Sequence, residues 1–127
     1  MKRARLAVAI LAVAMGVGAP AVAASGDGFA AFWNAFAAAA GKDDKAALAK
    51  LVTLGPNLGD NGKAYSFDQM HAAYLKPAER KCLAKAKPER TVDGTGAAFY
   101  ATNCGDLIYV FSKTGASWTL ADLSPND

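Results

Sequence analysis

Four aromatic residues at helical spacing, Phe29, Phe32, Trp33 and Phe36, constrain this chain more than any other feature. Positions i, i+3, i+4 and i+7 fall on one stripe of an α-helix. A stripe of rings has to be covered by another element. The C-terminal half of the chain is the part able to supply that cover. The predicted class is therefore α+β: N-terminal helices packed on a C-terminal antiparallel β-meander of three to four strands.

The first helix is expected from about Gly28 to Ala40. Asp27 supplies an N-terminal cap with a negative charge at the positive end of the helix. Gly41 is read as the left-handed residue that stops it. Asp43 or Asp44 then caps a second helix, Lys45 to about Leu54, in which Ala47, Leu48, Leu51 and Val52 repeat the apolar stripe. Gly55-Pro56 ends it. Residues 57–64, NLGDNGKA, read as a turn-rich surface loop. They lack the Gly-Lys-Ser/Thr ending of a phosphate loop and the spaced acids of a calcium loop.

Ser66-Phe67-Asp68-Gln69 is a capping box, with Tyr65 and Met70 placed as a hydrophobic staple. It starts a third helix at Phe67 that carries Phe67, Met70, His71, Tyr74 and Leu75 on one side. Lys76-Pro77 interrupts that helix, and Pro77 suits the first position of a fourth, to about Lys85. Lys76, Arg80, Lys81, Lys85, Lys87 and Arg90 form a basic cluster containing Glu79 and Glu89. It reads as a solvated face, or as a docking patch for an anionic partner.

From Val92 onward the pattern becomes extended. Residues 97–103, 107–113 and 117–123 are strand candidates, and residues 87–92 could add an edge strand. With two-residue turns at Cys104-Gly105 and Thr114-Gly115, Phe111 faces Trp118, Tyr109 faces Leu120 and Tyr100 faces Tyr109. That register collects Tyr100, Leu107, Tyr109, Phe111, Trp118 and Leu120 on one face, the natural cover for the helical stripe.

Ahead of this domain stands a segment with the features of a secretory leader. Lys2, Arg3 and Arg5 precede an apolar run from Leu6 to Ala19, followed by small residues at Ala21 and Ala23. The expected division is a signal peptide over 1–23 and a single domain over 24–127, with cleavage after Ala23 or Ala24. The chain carries a formal charge of +3, from 14 Lys and Arg against 11 Asp and Glu. Loss of the three leader cations takes 14 to 11 and leaves the domain near neutral. General nucleic-acid affinity then has little support, and no stable membrane anchor is expected after cleavage. The expected location is periplasmic or secreted. In that oxidising setting the pair Cys82 and Cys104 reads as a disulfide.

The order of elements resembles small secreted NTF2-like domains of the cystatin-like α+β roll type. The resemblance is carried by F-x-x-F-W-x-x-F, by DDKAALAKLV and by the terminal FSKTGASWTLADL. It implies a cone in which sheet and helices enclose a pocket. Some such domains are enzymes of the ketosteroid-isomerase kind and others are binding or accessory modules. The catalytic Asp and Tyr of the isomerases have no matching positions here, so no catalytic residue is carried over.

His71 is the single histidine. It is expected at a helix–sheet boundary with one nitrogen in water. No nucleophile motif accompanies it, and two Cys with one His leave a zinc site short of ligands. No metal or cofactor is expected. The aromatic surplus points instead to a small apolar pocket lined by Trp33, Phe36, His71, Tyr74, Tyr100 and Tyr109. The function so read is an exported, non-enzymatic binding or accessory domain for an apolar ligand or a protein partner. An inhibitor or immunity protein, or a small NTF2-like enzyme, are the alternatives.

Overall fold

A computed structural model describes residues 27–126. The proposed leader and its cleavage point lie outside them. The described residues fall into two units, 27–31 and 32–126. In the described part of the first, the Asp27 carboxylate accepts from the Phe29 amide at 3.0 Å, and Phe29 is fully buried.

Helix α1 spans Phe29–Lys42 and α2 spans Lys45–Ala49. A 3₁₀ turn over Pro56–Leu58 leads into a small hairpin, β1 (Gly59–Asp60) with β2 (Lys63–Ala64). Helices α3 (Phe67–Tyr74) and α4 (Pro77–Lys85) follow. The chain closes on an antiparallel meander in the order β3 (Glu89–Val92), β4 (Ala98–Cys104), β5 (Leu107–Thr114), β6 (Ser117–Pro125). This is the α+β class expected from the sequence, with helices in the N-terminal half and a four-stranded sheet at the C-terminus.

The helix starts obey local chemistry. Asp44 caps α2 through its carboxylate on the Ala47 amide. Both bonds of the Ser66/Gln69 capping box form, at 3.2 and 2.9 Å. Pro77 opens α4. The end of α1 differs from expectation. Gly41 stays helical, and the left-handed residue is Asp43, with φ 53°. The Asp44 amide reaches the Ala39 carbonyl at 2.9 Å and the Asp43 amide reaches Ala40 at 3.2 Å, which is a Schellman closure two residues later than predicted.

A Cβ built on Gly41 would stand 3.4 Å from the Ala84 Cβ of α4, an ordinary van der Waals contact. Gly41→Ala is therefore expected to stabilise the fold by about 0.5–1 kcal/mol, the helical Gly-to-Ala difference. A denaturant melt checks this; a loss would mean that Gly41 is needed at the helix end after all.

Helix α2 is also shorter than the predicted Lys45–Leu54. Tertiary pairing takes its second half: the Leu51 carbonyl and the Thr53 amide bond to the amide and carbonyl of Leu120, each at 2.9 Å. Val52 thereby forms a parallel bridge with Leu120. The Thr53 and Thr119 hydroxyls meet at 2.9 Å beside it. The loop over 57–64 contains structure that its Asn-Gly step encodes. Asn61 and Gly62 both take positive φ, 53° and 78°, as a type I′ hairpin turn requires.

The strand register is shifted by two from the predicted one, and by three where residues 107–110 pair with β6. Gly105 and Gly115 each open their turn with φ 66°, so the turns are Gly105-Asp106 and Gly115-Ala116. Phe111 therefore pairs with Leu120 and Tyr100, Tyr109 with Leu123 and Thr102, and Trp118 with Lys113. A shift of two in the pairing sum keeps each side chain on its face, and a bulge absorbs the third residue at 107–110. Tyr100, Tyr109, Phe111, Trp118 and Leu120 are accordingly all buried, while Leu107 is half-buried. A bulge between Phe111 and Val110 leaves Ala121 without an opposite residue.

Phe111 is the ring on which the stripe of α1 closes. Its centroid lies 5.8, 5.3 and 5.2 Å from those of Phe32, Trp33 and Phe36. Trp33 and Phe36 meet it edge-on, an arrangement that the ring quadrupoles favour. Leu48, Leu58, Met70, Leu75 and Leu83 are fully buried and extend the core through each helix and the 3₁₀ turn. Cys82 of α4 and Cys104 of β4 are joined in a disulfide, as expected.

Candidate functional site

The rings read as pocket residues are placed in the interior. Trp33, Phe36, Tyr100 and Tyr109 have 6, 0, 3 and 0% exposure. Trp33 and Phe36 pack on Phe111, and Tyr100 meets Trp118 edge-on at 5.2 Å. Tyr109 of β5 donates its hydroxyl to the Tyr74 carbonyl at the end of α3. Burial, and then the charge of Glu79, push its phenol far above the ordinary range. Half-buried Tyr74 donates in turn to the Gly59 carbonyl of β1 at 2.9 Å. Its phenol is also raised, first by burial and then by Tyr65 and Asp60. The Tyr109 and Tyr74 hydroxyls are thus both spent on backbone carbonyls, which ties sheet, α3 and the small hairpin together.

His71 meets the end of α1. Its Nε2 donates to Asp43 Oδ1 at 2.7 Å, since a carboxylate can only accept. The Phe67 ring stands 5.8 Å from the imidazole. Arg80 Nε lies 3.4 Å from the same Asp43 oxygen, and Arg80 also donates to the Leu75 carbonyl at 2.7 Å. Two side chains, an imidazole from α3 and a guanidinium from α4, therefore converge on the left-handed residue that closes α1. This triad was not legible in the sequence: Asp43 read as a helix cap and Arg80 as one member of a solvated basic face. A left-handed aspartate costs more than glycine would, and the contacts to His71 and Arg80 offset that cost.

The hydrogen bond from His71, with the charge of Arg80, holds the Asp43 carboxyl below its ordinary value against the opposing effect of desolvation. The sign of the linkage follows. A depressed carboxylate contributes stability above the ordinary Asp value, about 3.9, and the contribution is lost as pH falls through the folded value. Wild type is thus expected to exceed Asp43→Asn in stability near neutrality, with the gap closing below about pH 4. Melts of both proteins across pH check it. A gap that persists unchanged in acid would show that charge is not what Asp43 contributes.

The disulfide shapes the surface beside it. β3 pairs with β4 only as far as Glu89 with Ala101, whereas β4 continues to Cys104. Upstream of Glu89 the chain leads back to α4, which Cys82 fixes to Cys104 with 5.7 Å between Cα atoms. The divergence opens a cleft of about 320 Å³ lined by Lys87, Glu89, Ala101, Thr102 and Asn103. None of the six predicted pocket residues lines this cleft. Lys87, Glu89 and Asn103 are exposed, and Ala101 and Thr102 are half-buried.

Sequence reasoning missed the cleft because it arises from where pairing stops, not from residue type. The one available signal was an edge strand beginning after a cysteine-tethered helix. Among the described residues no group of three or more His, Cys, Asp and Glu could hold a metal ion. No helix among them is long and apolar enough to cross a membrane. In comparisons with known proteins the chain matches no family model, no curated protein and no solved structure, so the site is read from its own residues.

Proposed function

We propose that this protein is an exported binding or accessory domain without catalysis of its own, and that it takes its ligand or partner in the polar cleft between β3 and β4. The observation that carries the reading is the cleft itself: about 320 Å³, with a cation, an anion, a hydroxyl and an amide around it. Binding sites combine concavity with a few convergent polar groups, and the adjoining disulfide holds the walls in place. Export is supported by the leader-like segment and by the disulfide, which persists in oxidising compartments. The apolar-pocket expectation gives way to a polar one, because four of its six residues are packed inside. The resemblance to NTF2-like domains belongs to the same proposal, with the cleft as a peripheral site on such a frame.

A protein-interaction role, as an inhibitor or immunity protein, is the second reading. It draws on β3, which ends the sheet with all four residues exposed and so offers an edge for strand addition. The test is a map of amide shifts on adding the native extracytoplasmic fraction to wild type, Lys87→Ala and Asn103→Ala. Both sites are exposed, so the variants should melt within about 0.5 kcal/mol of wild type. Loss of the shifts at the cleft in both variants is the expected result. Shifts indifferent to both substitutions would overturn the cleft as the site.

A further inference from the structure

The two charges of the cleft have opposite sign and do not neutralise each other. Lys87 and Glu89 both line it, and among the described residues neither takes part in an ion pair. The charged cluster at the end of α1, Asp43 with Arg80 and His71, is by contrast internally paired. An ammonium and a carboxylate left open on one concavity discriminate by charge arrangement. A simple anion would meet Lys87 but be repelled by Glu89; a simple cation would meet the reverse. An apolar ligand would find no large apolar side chain in the lining. Asn103 adds an amide able to donate to a carboxylate or accept from an ammonium. Ala101 and Thr102 are small and leave the middle of the cleft open. The volume, about 320 Å³, stands at the lower end of the range for small-molecule sites.

Resting on the reading of this cleft as the recognition site, we infer that its ligand is a small zwitterion, a free amino acid or a dipeptide. Its carboxylate lies toward Lys87 and its ammonium toward Glu89, with Asn103 bonding the main-chain polar groups. Both charged partners are solvent-exposed, so each contact is modest and affinity falls on the order of 1 mM. The restrained walls lower the ordering cost of the site itself.

The experiment is an amide-resolved NMR titration of the disulfide-intact protein with four probes: glycine, glycylglycine, glycinamide and N-acetylglycine. The zwitterions glycine and glycylglycine should shift the amides of residues 87–89 and 101–103, and the stronger of the two identifies a free amino acid or a dipeptide as the better fit. Glycinamide, which lacks the carboxylate, and N-acetylglycine, which lacks the ammonium, should each bind roughly threefold to tenfold more weakly. Lys87→Ala should erase the advantage of glycylglycine over glycinamide, and Glu89→Gln its advantage over N-acetylglycine. Equal binding of all four probes, or binding by none at 50-fold above about 1 mM, overturns the zwitterion. The cleft as a site is judged separately, by the shifts that the native fraction causes in wild type, Lys87→Ala and Asn103→Ala, so the two claims fail independently.

Discussion

Phe111→Ala is expected to destabilise the protein by about 3–5 kcal/mol, the usual cost of truncating a buried phenylalanine. Phe111 has no exposed surface and touches the rings of Phe32, Trp33 and Phe36 at once. Its removal deletes apolar area and leaves a cavity that three large rings on a rigid helix are poorly placed to fill. A domain of this size has a total stability of about 5–15 kcal/mol, so the variant should be on the verge of unfolding at room temperature. Val110→Ala, one residue away but half-buried on the other face of β5, should cost clearly less. Urea melts of the two variants decide it. Equal and small losses would mean that α1 is not seated on this face of the sheet.

Removing the disulfide is the second large effect. Cys82 and Cys104 are 22 residues apart in sequence. Closing a loop of that length in the unfolded chain corresponds to roughly 3 kcal/mol in the chain-entropy model. For about 100 residues this is a fall in melting temperature of roughly 10–20 °C. The cross-link joins α4 to the end of β4, where ladder pairing with β3 has already stopped. Local loosening should therefore concentrate at residues 82–89 and 102–105, which hydrogen exchange can resolve. A Cys82→Ser/Cys104→Ser protein that melts with wild type would remove the staple from the account.

What the sequence discloses and what it hides divide along physical lines. Most local signals held, namely the Ser66/Gln69 box, Asp44 as a cap, Pro77 as a helix opener and the presence of the glycine turns, though not Gly41 as the helix stop. Each depends on backbone groups within four residues. The identity of the buried sheet face was also readable, because period-2 alternation survives a shift of two in register. The register itself was not, since Gly105 and Gly115 could sit first or second in their turns, and only the positive-φ requirement at the first position places them. Long-range competition was hidden altogether. Leu51–Thr53 leave a helical pattern to pair with β6. Asp43 gathers His71 and Arg80 from 28 and 37 residues away. The aromatic count suggested a surplus of rings for ligand binding, but Phe111 and Trp118 absorb them. The cleft has no sequence signature beyond the polar residues that happen to line it.

The central claim is that rings make the core while polar residues at the edge of β4 make the site. Its most direct test is a map of backbone amide shifts on adding the native extracytoplasmic fraction to the labelled, disulfide-intact protein. The account predicts perturbations confined to Lys87, Glu89, Ala101, Thr102 and Asn103 and their immediate neighbours. Perturbations centred on Trp33, Phe36, Tyr74, Tyr100 and Tyr109, with the cleft unmoved, would contradict it.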